Sequence, residues 1–204
     1  MSRKAFSILL LAFAAGLPLQ AGHALAETKT AIFAGGCFWC VESDFDGVAG
    51  VTSTTSGYIG GTTENPTYYN HTAANHREAV RIEYDSTKVN YATLLDVFWH
   101  SVDPTDGDGQ FCDRGHSYTT AIYAVGAEDL AAAEKSKKQA EAELGKPIIT
   151  EIAAAPAFWP AEDYHQDYYR KNPLRYKYYR SGCGRDARID EVWGAAAHKG
   201  IASH

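Results

Sequence analysis

Apolar and polar residues alternate along several short stretches, as they do in strands that bury one face. Residues 79–84 place Val80, Ile82 and Tyr84 on the same side, and this two-residue period predicts a β-strand. Four more strands are predicted where apolar or Thr/Val-rich runs lie between glycines and polar turns, at residues 30–34, 51–58, 120–125 and 148–152.

Three helices are predicted. One follows the Gly35-Gly36 break, at 37–45; one has apolar residues at helical spacing, from 91 to the Asp103-Pro104 pair; and one is Ala-rich, at 128–144. Asn90 precedes the second helix and is a suitable N-cap. Gly145 and Pro147 end the third. A long polar loop follows Pro104, and the Tyr-rich chain after Pro156 predicts one or two short helices.

The predicted order is β-α-β-β-α-β followed by extra elements, which is the split βαβ, ferredoxin-like order. We therefore expect an α+β fold, a two-layer sandwich with helices on one face of a mostly antiparallel sheet. The chain after Pro156 is expected to wrap over this core. No repeat or linker divides residues 27–204, so they are predicted to form a single domain.

The first 26 residues have the three parts of a secretory signal. Arg3 and Lys4 form a basic start, an apolar run extends over 5–19, and Ala24-Leu25-Ala26 is a small-x-small cleavage pattern. A membrane anchor or a buried helix is the alternative for this segment. We predict cleavage after Ala26 and an exported protein, periplasmic or secreted, with no membrane span in the mature chain.

Composition narrows the possible functions. The 204-residue chain carries 19 Lys+Arg against 25 Asp+Glu, a net charge of −6, and 45% of its residues are hydrophobic. These values are typical of a globular protein. The acidic balance argues against nucleic acid as a partner, because phosphate binding requires clustered basic residues.

The strongest chemical signal lies between the first strand and the first helix, at Ala34-Gly35-Gly36-Cys37-Phe38-Trp39-Cys40. The glycines allow a tight turn, and Cys37 then lies at the first turn of a helix. The free amides and dipole there favour a thiolate, so we expect a lowered pKa and a reactive Cys37.

Three other interpretations of the four cysteines are open at this point. An exported chain can use Cys37, Cys40, Cys112 and Cys183 as two structural disulfides. The Cys-x-x-Cys pair also occurs in thioredoxin-like thiol–disulfide exchangers. Zinc is disfavoured, because Cys112 and Cys183 do not form a second closely spaced pair, and no metal site is predicted.

The sequence around Cys37 resembles the signature of the peptide methionine sulfoxide reductase A family, and the resemblance spans nearly the whole chain after residue 26. It continues, in order, through Gly57-Tyr58-Ile59-Gly60-Gly61, Asn65-Pro66-Thr67-Tyr68, His76-Arg77-Glu78-Ala79-Val80, Leu95-Asp96-Val97-Phe98-Trp99, Asp113-Arg114-Gly115-His116-Ser117-Tyr118 and Ala161-Glu162-Asp163-Tyr164-His165-Gln166.

The resemblance implies reduction of the S epimer of free or protein-bound methionine sulfoxide, with no metal or organic cofactor. Cys37 would attack the sulfoxide sulfur and become a sulfenic acid. The resemblance also implies that Glu78 donates a proton and that the phenols of Tyr68 and Tyr118 hydrogen-bond the sulfoxide oxygen. Phe38 and Trp39 would pack around the S-methyl group. Asp113 would bind the substrate backbone or orient a tyrosine.

The chain departs from the family pattern at three places. Asn75 stands where the family often has glycine, and Cys40 also replaces a common glycine. The stretch from Tyr68 to Glu78 is about two residues shorter than in some relatives, which makes Tyr69 an alternative to Tyr68.

A second thiol must resolve the sulfenic acid as a disulfide, which a thioredoxin or thioredoxin-like protein would reduce. Cys183, between glycines, is the first choice, and the matching region carries resolving cysteines in many relatives. Cys40 is the alternative, and Cys112 is either a third candidate or a small buried hydrophobe. The Tyr-rich tail, which includes Tyr179, is expected to pack on the core, and the protein is expected to be a monomer.

Overall fold

A computed structural model describes residues 27–202. The predicted signal peptide, residues 1–26, lies outside the described residues. The strands are β1 (Thr28–Ala34), β2 (Val51–Ile59), β3 (Arg77–Asp85), β4 (Gly109–Gln110), β5 (Asp113–Arg114), β6 (Ala121–Ala124), β7 (Glu151–Ala154) and β8 (Phe158–Pro160). The helices are α1 (Phe38–Asp46), α2 (Tyr91–Trp99), α3 (Ala127–Leu144), α4 (Tyr168–Lys171), α5 (Pro173–Gly182) and α6 (Arg185–Trp193).

The main sheet has the strand order β7-β6-β1-β3-β2-β8. Its neighbours are antiparallel except β6 and β7, which run parallel. The sheet is therefore mixed, and the α+β class expected from the sequence is confirmed.

Side-chain alternation gives the sheet two apolar faces. In β1, Ala31 and Phe33 belong to the large core cluster with α1, α2 and α3, whereas Ile32 and Ala34 belong to a smaller cluster on the other face. Phe33 packs between Phe45 of α1 and Phe98 of α2, with ring centroids 5.4 and 5.0 Å away. This packing fixes the end of β1, where the chain turns toward Cys37.

The predicted strand at 148–152 is misplaced. The Ile148 N–H donates to Glu141 and the Ile149 N–H to the Pro104 carbonyl, so these two residues are tied to other segments. The strand begins only at Glu151. Among residues 27–202, no helix is both long and apolar enough to cross a bilayer.

Three additional elements were not predicted. The polar loop contains the short β4–β5 hairpin, β8 forms an edge strand ending at Pro160, and the tail has three helices instead of one or two. Pro173 begins a new helix because its fixed φ suits the first helical position. Gly184, with φ +67, separates α5 from α6.

Candidate active site

The turn between β1 and α1 places Cys37 at the N-cap of α1, as the sequence predicted. Gly36 has φ +84, and a Cβ there would lie 2.7 Å from the Gln110 Cβ. Glycine is therefore required both by the backbone conformation and by the close neighbour. The Cys37 carbonyl accepts the Cys40 N–H at 3.1 Å, which starts the helix.

Cys37 and Cys40 are both free thiols and are 7% and 2% exposed. The alternative of two structural disulfides is therefore wrong. So little exposure also argues against a thiol–disulfide exchanger, which must present a sulfur to a partner protein.

Ionisation of the pair differs from the sequence expectation. Burial raises the pKa of Cys37, because a buried thiolate loses hydration and the expected lowering by the helix terminus does not outweigh that loss. Burial also opposes ionisation of Cys40, but the Cys37 thiol and the cations of Arg185 and Arg180 lower its pKa to about 7. At neutral pH the pair holds its first negative charge on Cys40.

Glu78 lies on β3 opposite Tyr58 of β2 and is 2% exposed. Its Oε2 atom accepts the Phe38 N–H at 3.0 Å. Burial, reinforced by the nearby charges of Asp113 and Cys40, raises its pKa to about 8. The carboxyl is therefore mostly protonated at neutral pH and can act as an acid.

Phe38 and Trp39 form aromatic walls beside the thiol. The Trp39 ring stacks on Tyr168 with centroids 3.7 Å apart, and its Nε1–H donates to His165 Nδ1 at 3.0 Å. Phe38 packs on Tyr58 and His165 at 5.8 and 5.0 Å. These contacts fix both rings around a cavity of about 50 Å³, lined by Cys37, Phe38, Trp39, Tyr68, Glu78, Asp113, Tyr118 and Tyr179.

The two predicted phenols both reach this cavity. Tyr68 lines it, whereas Tyr69 is 92% exposed and is not a lining residue. Tyr118 follows the β5 strand and hydrogen-bonds Glu78. Burial raises the pKa of Tyr68 and of Tyr118, so both keep the proton needed to donate a hydrogen bond.

Asn75 has φ +61. Asparagine tolerates this left-handed conformation better than most residues. Asn75 can therefore occupy the position at which the family often has glycine without a large backbone strain.

Tyr179 is the site residue that sequence reasoning assigned only to packing. Its hydroxyl donates a short hydrogen bond to Asp113 Oδ2, and its side chain contacts Cys37. Its ring also meets Trp39 edge-on at 5.7 Å. No sequence pattern distinguishes it, because the chain has 13 tyrosines and Tyr179 is far along the chain from the cavity's other residues.

Cys112 and Cys183 form a disulfide with their Cα atoms 4.8 Å apart. Cys112 is exposed, so the interpretation as a buried hydrophobe is wrong. The disulfide joins the segment that carries Asp113 to the end of the helix that carries Tyr179. With the Asp113 carboxylate these sulfurs are a possible three-ligand metal group within 4.8 Å, but both sulfurs are already bonded to each other.

A buried cluster of ion pairs lies close to the thiol pair, and its two cations are the ones that lower the pKa of Cys40. Asp44 of α1 pairs with Arg180 at 2.7 Å and with Arg185 at 3.4 Å. Arg185 also donates to the Gly35 carbonyl at 3.1 Å, immediately before the catalytic turn. Both cations come from the tail, and their effect on Cys40 was not evident from the sequence.

A buried thiol beside a second thiol and a protonated carboxyl defines a thiol-dependent oxidoreductase. The sequence matches the family profile described as peptide methionine sulfoxide reductase over residues 29–197. The chain belongs to this family.

Known relatives cover almost the whole chain. It is 53% identical over 201 residues to peptide methionine sulfoxide reductase MsrA 2 of Rhizobium meliloti (strain 1021), with 98% of this chain and 99% of the relative aligned. Peptide methionine sulfoxide reductase MsrA of Bacillus licheniformis is 48% identical over 172 residues, covering 82% and 95% of the two chains.

The fold also resembles solved structures. Methionine sulfoxide reductase A of Corynebacterium diphtheriae superimposes with a TM-score of 0.67 at 35% identity, covering 72% of this chain and 76% of that chain. Reduced Mxr1 of Saccharomyces cerevisiae gives 0.67 at 27% identity, with coverages of 72% and 86%.

Proposed function

We propose that the protein reduces the S epimer of methionine sulfoxide, free or within polypeptides, to methionine. The observation that carries this proposal is the meeting of Cys37, the protonated Glu78 and the Phe38 and Trp39 rings at one small cavity. Sulfoxide reduction needs these three things together: a sulfur nucleophile, an acid for a poor leaving oxygen, and an apolar surface for the S-methyl group.

The nucleophile is Cys37, and Cys40 activates it. Because the first charge of the pair lies on Cys40, the Cys40 thiolate accepts the Cys37 proton as Cys37 attacks the sulfoxide sulfur. This removes the need for a free Cys37 thiolate in the resting protein, where burial opposes it. An adjacent base is a general means of activating a buried nucleophile.

Glu78 transfers its proton to the sulfoxide oxygen as the sulfur–oxygen bond breaks. Tyr68 and Tyr118 donate hydrogen bonds to that oxygen, which both can do because their phenols stay protonated. The hydroxyl passes from the substrate sulfur to the Cys37 sulfur as the transient bond between the two sulfurs breaks, and the electron pair of that bond stays on the substrate sulfur. The products are methionine and the Cys37 sulfenic acid, with Glu78 left as a carboxylate.

The substrate's methyl group packs on Phe38 and Trp39, which their contacts with Tyr168 and His165 hold in place. Asp113, fixed by Tyr179, faces the same cavity. It receives the substrate's amide N–H groups or orients Tyr179, and both roles follow from an acceptor at the cavity rim.

Cys40 is the first resolving thiol, because it is free and lies next to Cys37, whereas Cys183 is already bonded to Cys112. Cys40 attacks the sulfenic sulfur, a Cys37–Cys40 disulfide forms, and water leaves. Cys183 then acts in a second step. The reduced Cys112–Cys183 pair exchanges with the buried Cys37–Cys40 disulfide and moves the oxidation to the exposed Cys112.

A thioredoxin or thioredoxin-like dithiol reduces the outer disulfide, and no metal or organic cofactor takes part. Yeast Mxr1, one of the structural neighbours, has a solved complex with Trx2, which supports a partner of this kind. The exposure of Cys112 gives such a partner access that the two buried thiols do not.

Purified protein tests the proposal with the separate S and R epimers of N-acetylmethionine sulfoxide and excess dithiothreitol. We expect N-acetylmethionine to form from the S epimer only, and none to form with Cys37→Ser. Reduction of the R epimer at a comparable rate, or activity in Cys37→Ser, would contradict the assignment.

We further propose export after cleavage at Ala26, on the basis of the basic, apolar and small-residue parts of residues 1–26. The single catalytic domain is then residues 27–204, and it acts as a monomer. N-terminal sequencing of the expressed protein should begin at Glu27, and light scattering should give one chain per particle.

We also propose that the inner four strands and their two connecting helices form a ferredoxin-like unit. Their order β6-β1-β3-β2, with α1 and α2 as the two connections, supports this.

A further inference from the structure

The loop that carries Tyr68 is held from both sides of that residue. Residues 60–76 connect β2 to β3 without a regular helix or strand. The Tyr68 N–H donates to Glu162 Oε1 at 2.9 Å, and the Tyr68 carbonyl lies 2.8 Å from His71 Nδ1. His71 therefore fixes one of the two backbone groups that aim the Tyr68 ring.

This contact sets the tautomer of His71. A carbonyl oxygen only accepts hydrogen bonds, so the His71 proton lies on Nδ1. Burial lowers the pKa of His71, and the ring is neutral in the resting protein. Its Nε2 atom therefore carries a lone pair that can take up a proton.

The His71 Nε2 atom faces the acid of the reaction. It lies 3.9 Å from Glu78 Oε1, and both side chains are 3% exposed. The other oxygen, Glu78 Oε2, accepts the Phe38 N–H, so the acid proton is carried by Oε1. A small movement of the ring or the carboxyl brings the proton-bearing oxygen and the ring nitrogen within hydrogen-bonding distance.

His71 also connects to the surface. Thr72 Oγ1 lies 3.2 Å from His71 Nε2, and Thr72 is exposed to solvent. The Ser117 hydroxyl lies 3.3 Å from the same Thr72 oxygen and donates to the His76 carbonyl at 2.7 Å. Side chains therefore lead from water through Thr72 and His71 to the buried Glu78.

We propose that His71 is a positioning residue that returns a proton from the surface at Thr72 to Glu78 between turnovers, while it holds Tyr68 in place. This inference rests on the proposed function. In that cycle Glu78 gives its proton to the sulfoxide oxygen, and the Cys37 proton passes to Cys40 and then leaves in water when the disulfide forms.

One proton must therefore reach Glu78 from outside in every cycle. When the donor dithiol has reduced the disulfide, Cys40 loses one proton to solvent, so the overall reaction takes up none. The direct way through the cavity is narrow, because the cavity holds about 50 Å³ and Tyr68, Tyr118 and Tyr179 line it.

The pH dependence of this step depends on every charged or titratable group near the two residues. His71 is surrounded by Tyr58, Tyr68, His76, Glu78, Glu162 and His165. Glu78 is surrounded by Cys37, Cys40, Tyr58, Tyr68, His71, Asp113 and Tyr118.

The decisive experiment measures two rates for each variant, the rate of the first turnover and the steady-state rate. Both are measured at saturating S-sulfoxide with excess dithiothreitol. His71→Asn keeps an N–H for the Tyr68 carbonyl and removes the Nε2 atom. We expect its first turnover to stay within about twofold of wild type and its steady state to fall about tenfold or more, since such proton transfers contribute about 10²- to 10⁴-fold. Imidazole in the buffer should restore the steady-state rate of His71→Ala.

His76→Asn is the matched control. His76 is another buried histidine of the same loop, and its ring contacts Gly61 and Thr63, not Glu78. A purely structural role for His71 predicts that both variants lose stability and slow the first and later turnovers equally, without rescue by imidazole. That result would overturn the proposal.

Thr72→Val provides a second test if the His71 variants do not fold. Thr72 is exposed, so its replacement leaves the buried core unchanged. Steady-state turnover should fall several-fold with an unchanged first turnover. Unchanged steady-state turnover in Thr72→Val would overturn the proposed route. Failure of the proposed function gives a different result, since wild type itself would then release no methionine.

Discussion

Replacement of Glu78 by glutamine tests the acid role on two independent quantities, activity and stability. The glutamine side chain keeps an oxygen for the Phe38 N–H, so the site can retain its shape. It has no proton to transfer, and loss of a general acid typically costs about 10²- to 10⁴-fold in rate. We expect single-turnover methionine release from the S-sulfoxide to fall by that factor.

The stability effect follows from the pKa of Glu78, which is about 8 against an ordinary 4.5. Each pKa unit corresponds to about 1.4 kcal/mol, so ionisation costs about 5 kcal/mol more in the folded protein than in the unfolded chain. Because the folded pKa is the higher one, this stability is fully present below pH 4.5 and is lost as pH rises through 8.

Urea unfolding at pH 5 and pH 8.5 measures that loss. The wild type should lose about 4 kcal/mol more than Glu78→Gln over this interval. Its single-turnover activity should rise as Cys40 ionises near pH 7 and fall as Glu78 ionises near pH 8, giving a bell-shaped profile.

Glu42→Gln is the matched control. Burial raises the pKa of Glu42 to about 7 as well, but Glu42 accepts from Ser56 and the Asp167 N–H and does not line the cavity. Glu42→Gln should reduce the pH dependence of the free energy of unfolding and leave the pH profile of single-turnover activity unchanged. Near-wild-type methionine release by Glu78→Gln, or wild-type activity that still rises above pH 9, would refute the acid role.

Three further changes have defined outcomes. Serine at both Cys112 and Cys183 removes a disulfide spanning 71 residues and should lower the free energy of unfolding in urea by about 4 kcal/mol. An unchanged free energy of unfolding would contradict a stabilising role for this disulfide. Tyr179→Phe removes the donor to the Asp113 carboxylate and should lower kcat/KM about tenfold; wild-type kinetics would exclude that contact from the site. Asp44→Asn removes the buried carboxylate that Arg180 and Arg185 share, although Arg180 keeps its pair with Asp186 at 2.7 Å. It should cost about 3 to 5 kcal/mol of stability in urea, and a loss below about 1 kcal/mol would contradict the ion cluster.

The sequence and its family resemblance together named residues that the structure brings to one place, and the turn at Cys37 follows from local pattern alone. The strand, the two glycines and Cys37 follow one another, so the turn and the helix start can be deduced from neighbouring residues. Glu78 and Tyr118 come at the ends of predicted strands or in motifs beside them. All seven predicted residues other than Cys40 and Cys183 line one cavity.

Long-range contributions could not be predicted in the same way. His71 and Tyr179 act through partners 7 and 66 residues away, Glu78 and Asp113, and neither residue type is rare enough to stand out. The ionisation of Cys37 was wrongly expected, because the helix terminus is visible in the sequence and burial is not.

In the fold, too, elements with a clear local pattern were predicted, and elements that depend on distant contacts were not. The strands with clear alternation, such as β3, were predicted within two residues. β8 is three residues long and ends in proline, which an edge strand tolerates because the proline needs no partner on its open side. The start of β7 depends on hydrogen bonds to Glu141 and Pro104, which no local pattern indicates.

The most direct test of the central claim is to trap the sulfenic acid in the Cys40→Ser, Cys112→Ser, Cys183→Ser triple variant with one equivalent of S-sulfoxide and dimedone. Because this variant lacks the Cys40 base, its first turnover is slower than that of wild type and is followed to completion. Peptide mass spectrometry should then find one dimedone adduct on Cys37 for each methionine released. Methionine release without an adduct on Cys37 would contradict the account.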